Sequence, residues 1–314
     1  MNESKLENLF IEHSEEFCLK WRNILTKTMK WKIKDQMLEI PNIISFKKEL
    51  VFLPFLSFTN TDISKKINIS KIRKPYQYRI VNKELSSRAY KYSASENCDL
   101  SKFFDSDTSV TMRIELTEEL WENTFSSNVR RKIRKAKKNN FHINSGYDIE
   151  IINRFYNLYK KSMKYHGMPV YPIELLMGID KNILDINIFI ISKNNVDLAG
   201  LVTIADGDLA WVPWAATNKK EISNYCNYLL YWEAINLVKA KGAKLFDFGR
   251  CQYNSSSYQF KKQFGSYHVA LETLGNKKNN IYSYYKPMQI IWKYLPIGIT
   301  NFLNKKICYY LSDL

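Results

Sequence analysis

Between Phe246 and Gly265 the chain reads FDFGRCQYNSSSYQFKKQFG, and this stretch constrains the fold more than any other. Phe246-Asp247-Phe248 has the form of a buried strand end, and Gly249-Arg250 turns the chain. Asn254, Ser255, Ser256 and Ser257 are loop and N-cap types. Tyr258 to Phe264 then makes a short helix that Gly265 stops. A carboxylate at a strand end, followed by a helix carrying Lys261 and Lys262, sets opposite charges at one strand–turn–helix corner. That corner is the candidate reaction site.

The flanking sequence supplies the elements such a corner needs. Residues 149–165 and 224–241 show helical apolar spacing, the second closed by Gly242. Residues 186–192, 198–205 and 209–216 read as strands joined by Asn194-Asn195 and Asp206-Gly207 turns. A short strand at 141–144 precedes them, 244–248 leads into the corner, and 267–274 adds an edge strand. His166-Gly-Met-Pro-Val-Tyr-Pro172 is a rigid turn before a short helix at 173–179. Ahead of these, residues 4–29 are helix-prone, 43–58 are β-rich, and 76–81 and 110–116 read as strands. Residues 286–314 close the chain as two amphipathic helices around Pro296. Met288, Ile291, Trp292 and Leu295 make one stripe, and Phe302, Leu303, Ile307 and Tyr310 the other. These helices either dock on the body or lie in a membrane interface, where Lys286, Lys293, Lys305 and Lys306 would flank them.

Charge narrows the partners. The net charge of +16 on 314 residues points to nucleic acid, anionic lipid or a phosphorylated substrate. Residues 126–138 hold seven Arg or Lys and no acid, so +16 less 7 leaves +9 elsewhere. Phe125, Val129, Ile133 and Ala136 form a narrow apolar seam there. Thr117 caps a short helix before it, and Ser126 or Ser127 caps the basic helix. Such a run is either a solvated helix face or a phosphate site built from guanidinium forks.

Other chemistry is excluded by what the chain lacks. All ten glycines lie at or after Gly146 and none forms GxG, which removes a Walker loop and a dinucleotide fingerprint. The five cysteines and four histidines show no metal spacing, so no metal and no disulfide framework is expected. No apolar run reaches the ~20 residues that cross a bilayer. The N-terminus has no hydrophobic signal core, which reads as a cytoplasmic protein.

Three motifs carry a family resemblance. Asp247-Phe-Gly-Arg250 followed by Tyr258-x-Phe-Lys-Lys-x-Phe-Gly265, the run Arg130-x-x-Ile-Arg-Lys-Ala-x-Lys138, and His166-Gly-x-Pro169 together resemble the Fem-type peptidyltransferases. These and their exopolysaccharide-associated relatives belong to the GNAT (N-acyltransferase) superfamily. The likeness runs over roughly residues 40–314 and is best from Asn128 to Gly265. It implies a mixed α+β, tandem GNAT-like fold with central mixed sheets and C-terminal amphipathic helices. The divisions would be a degenerate domain at 1–116, basic connecting helices at 117–140, a catalytic domain at 141–283 and the tail at 284–314.

By the same resemblance, Lys261 would stabilise an oxyanion or a donor phosphate. Asp247 would receive or orient the acceptor amine, or else be satisfied by Arg250 or turn N–H groups. Arg130, Arg134, Lys135, His166, Trp214, Arg250, Tyr258 and Phe260 are the substrate-binding candidates. Two departures touch the donor. The segment 218–227, where a CoA pyrophosphate loop belongs, has no glycine. Phe260 stands where a tyrosine often protonates the departing thiolate. The expected activity is transfer of an aminoacyl or acyl group to an amine of a cell-envelope or exopolysaccharide precursor. The donor is aminoacyl-tRNA or acyl-CoA, with no tightly bound cofactor. The acceptor is an anionic, phosphorylated glycan precursor, either free or lipid-linked, met in the cytoplasm or at the cytoplasmic membrane face. The alternatives are an acetyl-CoA-dependent amino-sugar acetyltransferase, a non-catalytic RNA-binding module, and a membrane-surface scaffold.

Overall fold

The computed structural model describes residues 10–41, 48–54, 56–66, 72–93, 100–219, 225–275 and 289–307. Parts of the expected elements at 4–29, 43–58, 218–227 and 286–314 therefore lie outside the described residues.

Ser14 opens the first helix, α1 (Glu15–Met29), by accepting the Phe17 N–H at 3.0 Å. The helix is shorter than the pattern predicts because this cap starts the hydrogen-bond ladder there. Strands β1 (Lys32–Lys34), β2 (Met37–Pro41) and β3 (Lys48–Val51) follow, then α2 (Thr61–Lys65), β4 (Tyr76–Val81) and α3 (Lys83–Ser93). Sequence spacing misses α3, a largely polar helix. It docks through Ala89 and through Ser86, whose hydroxyl accepts the Ala270 N–H.

After β5 (Ser109–Glu115) the expected Thr117-capped helix is instead a π-type turn at Leu120–Thr124 with no side-chain cap. The basic helix α4 (Ser127–Lys137) is capped by Ser126, and its seam of Val129, Ile133 and Ala136 is buried. Then come β6 (His142–Gly146), α5 (Ile149–His166), α6 (Ile173–Met177), β7 (Asp185–Lys193), β8 (Val196–Asp206) and β9 (Leu209–Thr217). Asn194 and Asn195 both take positive φ in the β7–β8 turn, as a two-residue hairpin requires. Next are α7 (Cys226–Ala240), β10 (Leu245–Gln252), α8 (Ser256–Lys262), β11 (Tyr267–Gly275) and, in the tail, α9 (Ile297–Ile307).

Among the described residues the strands form one sheet of eleven, in the order β1-β2-β3-β4-β11-β5-β10-β9-β8-β7-β6. It is antiparallel except at β3–β4 and β9–β10. The sheet runs unbroken across residue 116, because β5 lies between β10 and β11. α5 packs on one face with the α1 aromatics; α4, α7 and α8 cover the other.

His13 is buried in the first of these layers, stacked on Phe17 and Phe58. Burial, and then the nearby Arg113 charge, hold its imidazole at a pKa of about 3, with Asp206 3.8 Å from Nδ1. Its folded pKa is depressed, so the stability it confers is present above pH 6.5 and is lost as pH falls towards 3. His13→Phe should keep the stack and flatten that acid limb. An unchanged acid-unfolding curve would remove His13 as the trigger.

Candidate active site

The site is created where two parallel strands part. β9 and β10 pair only through Leu209–Ala210–Trp211 against Leu245–Phe246–Asp247. Beyond Asp247, β10 carries a bulge against β5, with Phe248 and Gly249 together opposite Met112 before Arg250 pairs with Thr111. Gly249 has φ +79°, and a Cβ there would meet the Val212 carbonyl at 2.5 Å. Only glycine lets the bulge sit this close to β9. On the other strand Pro213 has no N–H to offer. The resulting wedge holds a cavity of about 280 Å³. Trp211, Pro213, Gly249, Arg250 and Cys251 line it from the strands, with Tyr231 from α7 and Ser257 and Lys261 from α8.

Asp247 forms the floor of the corner but not the wall. It is fully buried, and Oδ2 accepts from Arg113 Nε at 2.8 Å. Oδ1 accepts from the Thr111 hydroxyl and from the Gly249 N–H, the latter at 2.7 Å. Arg113 is equally buried and also donates to the Ile11 carbonyl at 2.9 Å. The amine-receiving role expected of Asp247 is therefore corrected. Both oxygens are engaged inside the protein and neither faces the cavity, so Asp247 positions the Gly249 bulge. Its partner is Arg113, not Arg250.

Lys261 does reach the cavity. Ser255 caps α8 through the Tyr258 N–H, which turns Lys261 inward at 5% exposure. Its Nζ donates to the Gly249 carbonyl at 2.7 Å and the Arg250 carbonyl at 3.1 Å. An ammonium has three N–H groups, so one is left for the cavity. Burial lowers the pKa of this ammonium, against the opposing pull of Cys251 and Asp247. Tyr231, absent from the sequence-derived candidates, adds a phenol whose pKa burial pushes up. It stays a proton donor across the working range. The Cys251 thiol is likewise pushed up by burial, which disfavours the thiolate a nucleophile needs.

The remaining candidates divide. Arg250 lines the cavity. Trp214 does not: it points to the opposite layer, 6.2 Å from Trp21. Tyr258 is buried against Tyr253, and Phe260 packs on Tyr228, Tyr231 and Phe264. Both build the wall's support rather than its surface. Arg130 donates to the Trp121 and Glu122 carbonyls, so it fastens the π-type turn. Arg134 and Lys135 are exposed on α4. His166 ends α5, outside the cavity, its pKa lowered by burial and by Lys219 and Lys293. Of the departures from a CoA site, residues 220–224 lie outside the described residues. Among the described residues no cluster of three or more His, Cys, Asp or Glu could hold a metal.

Residues 123–262 match the acetyltransferase (GNAT) domain family model. No curated protein matches the chain. Among solved structures, FemX is similar at TM-score 0.52 and 14% identity, covering 92% of this chain and 98% of that one. A conserved Bacteroides thetaiotaomicron protein of unknown function is similar at TM-score 0.53 and 9% identity, covering 87% and 96%. L-PGS from Bacillus licheniformis is similar at TM-score 0.51 and 10% identity, covering 90% and 97%. At these identities the likeness is one of fold. With a GNAT domain over residues 123–262, the protein is an acyltransferase of GNAT architecture.

Proposed function

We propose that the protein transfers an aminoacyl group from aminoacyl-tRNA to an amine of an anionic cell-envelope or exopolysaccharide precursor. The observation that carries this reading is Lys261 seated between β9 and β10. Acyl-CoA is the co-substrate of the GNAT fold, and its extended arm needs free strand-edge groups to pair with. Here Lys261 takes the Gly249 and Arg250 carbonyls, Asp247 takes the Gly249 N–H, and Pro213 offers none. Part of that edge is therefore already engaged by the protein itself. The resemblance of the Phe260-Lys261 motif to Fem-type enzymes supports the same donor.

The chemistry then needs three things. The acceptor amine attacks, neutral, at the ester carbonyl, and its nitrogen–carbon bond forms as the oxyanion develops. The third Lys261 N–H is placed to stabilise that oxyanion. The carbon–oxygen ester bond breaks, and the proton lost by the amine ends on the departing ribose oxygen. Tyr231, held protonated, is the donor at the cavity wall, returning to its phenol form with the amine's proton.

The exposed cations of α4 supply the handle for a polyanion. Arg134, Lys135 and Lys138 are all exposed. Changing the three together to Ala should weaken tRNA binding and flatten the plot of log affinity against log salt by roughly 2, at about 0.7–0.9 per lost phosphate contact. Arg130 is left intact because it fastens the neighbouring turn. Calorimetry with charged tRNA and with acetyl-CoA tests the donor. Micromolar acetyl-CoA binding with no tRNA affinity would overturn this reading and favour the amino-sugar acetyltransferase.

A further inference from the structure

The tail docks by one side and exposes large apolar residues on the other. Residues 289–294 are helical and α9 follows Pro296. Trp292, Thr300 and Asn304 face inward and are buried. Asn304 accepts the Val170 N–H at 3.0 Å, and Lys164 donates to the Leu295 carbonyl. Gly167, at φ +72°, lets the tail cross: a Cβ there would meet the Gln289 carbonyl at 2.3 Å. The other side presents Ile290 and Ile291 at 61% exposure and Tyr294 at 85%. Three large apolar residues this exposed within residues 290–294 mark an interaction surface.

The two segments that form this surface, residues 154–171 and 289–307, carry basic side chains and no acidic ones. A second cavity, of about 240 Å³, opens between α5 and the tail, lined by Lys160, Lys161, Lys164, Trp292, Thr300 and Asn304. Lys219 and Lys293 lie close enough to depress His166. A two-fold contact with a second copy would set these lysines against their own images. An anionic bilayer answers both features, the apolar side chains entering the interface while the ammonium groups meet phosphates.

We propose that the α5–tail surface seats the protein on an anionic phospholipid bilayer, with Ile290, Ile291 and Tyr294 inserted and the lysine-lined cavity holding a lipid phosphate. The placement suits the reaction. Ser162 of α5 accepts the Thr217 N–H at 3.3 Å, at the end of β9 towards which β9 and β10 part. The surface and the reaction cavity therefore share one end of the sheet. The inference stands apart from the choice of acyl donor, because vesicle binding is read without turnover.

The test is co-sedimentation of the full chain with vesicles of phosphatidylcholine alone and of phosphatidylcholine with phosphatidylglycerol. Ile290→Ser, Ile291→Ser and Tyr294→Ser combined, all at exposed positions, should lower binding to both vesicles by roughly tenfold or more with Tm unchanged. Lys160→Gln with Lys161→Gln should lower binding to the anionic vesicles roughly tenfold and leave binding to phosphatidylcholine alone unchanged. Arg134→Gln with Lys135→Gln is the control and should bind vesicles as the wild type does. Equal sedimentation of wild type and the triple variant would overturn the proposal. So would loss confined to the control pair, which would assign the lipid to α4. Calorimetric binding of inorganic phosphate without vesicle binding, or a dimer that the triple variant dissolves, would each overturn it too.

Discussion

Replacing Lys261 by Met should lower turnover by ~10²–10³, the effect of removing one oxyanion donor, while the fold survives. Methionine fills nearly the same volume and carries no charge to desolvate, which offsets the loss of the two carbonyl bonds. The pH profile distinguishes a chemical role from a packing one. If the ammonium stabilises the oxyanion, wild-type kcat should fall as pH rises through its pKa, which burial holds below the ordinary 10.5. Lys261→Met should lack that limb. Stability should move the other way. A depressed lysine pKa costs the fold most below that pKa, so wild type should gain on Lys261→Met as pH climbs towards 10.5. Near-normal turnover in folded Lys261→Met would remove the lysine from the mechanism. A wild-type rate that rises through this window, and is lost in the variant, would make it a base instead.

Arg113→Met should cost on the order of 3–5 kcal/mol, because it strands the Asp247 carboxylate without its counter-charge in a fully buried site. Asp247→Asn should cost a similar amount by stranding Arg113. The double variant removes both charges and should cost clearly less than the sum, a coupling that a double-mutant cycle reads directly. Turnover should fall in all three only as far as the Gly249 bulge loosens, with KM and kcat both moved. The contrary result is specific. Asp247→Asn with wild-type stability and a hundredfold lower kcat would return the carboxylate to the chemistry.

These two residues show where the sequence was sufficient and where it stopped. Lys261 was legible because its placement is local. A strand end, a serine cap and a short helix fix which side faces inward, and all three are read from neighbouring residues. The same holds for the α4 seam and for the Asn194-Asn195 hairpin, where spacing and turn chemistry act within a few positions. Asp247 was misassigned because its meaning depends on Arg113, 134 residues earlier. No local period announces that β5 inserts between β10 and β11.

Tyr231 was missed for a related reason. On a helix apolar nearly all round, only the position of β10 decides which side faces the cavity. Trp214 was placed wrongly because strand alternation gives two faces without saying which one meets α1. The tail's stripes foretold amphipathic helices, but not which apolar residues would be buried. Trp292 turned inward and Ile291, its neighbour, turned outward, because α5 offers one groove, crossing at Gly167. Periods of 3.6 and 2 residues, and the chemistry of caps and turns, are properties of short segments, and the sequence by itself determined those. Which buried charge meets which, where two parallel strands part, and which helix side stays exposed depend on partners distant in the chain. Those only the tertiary structure decided.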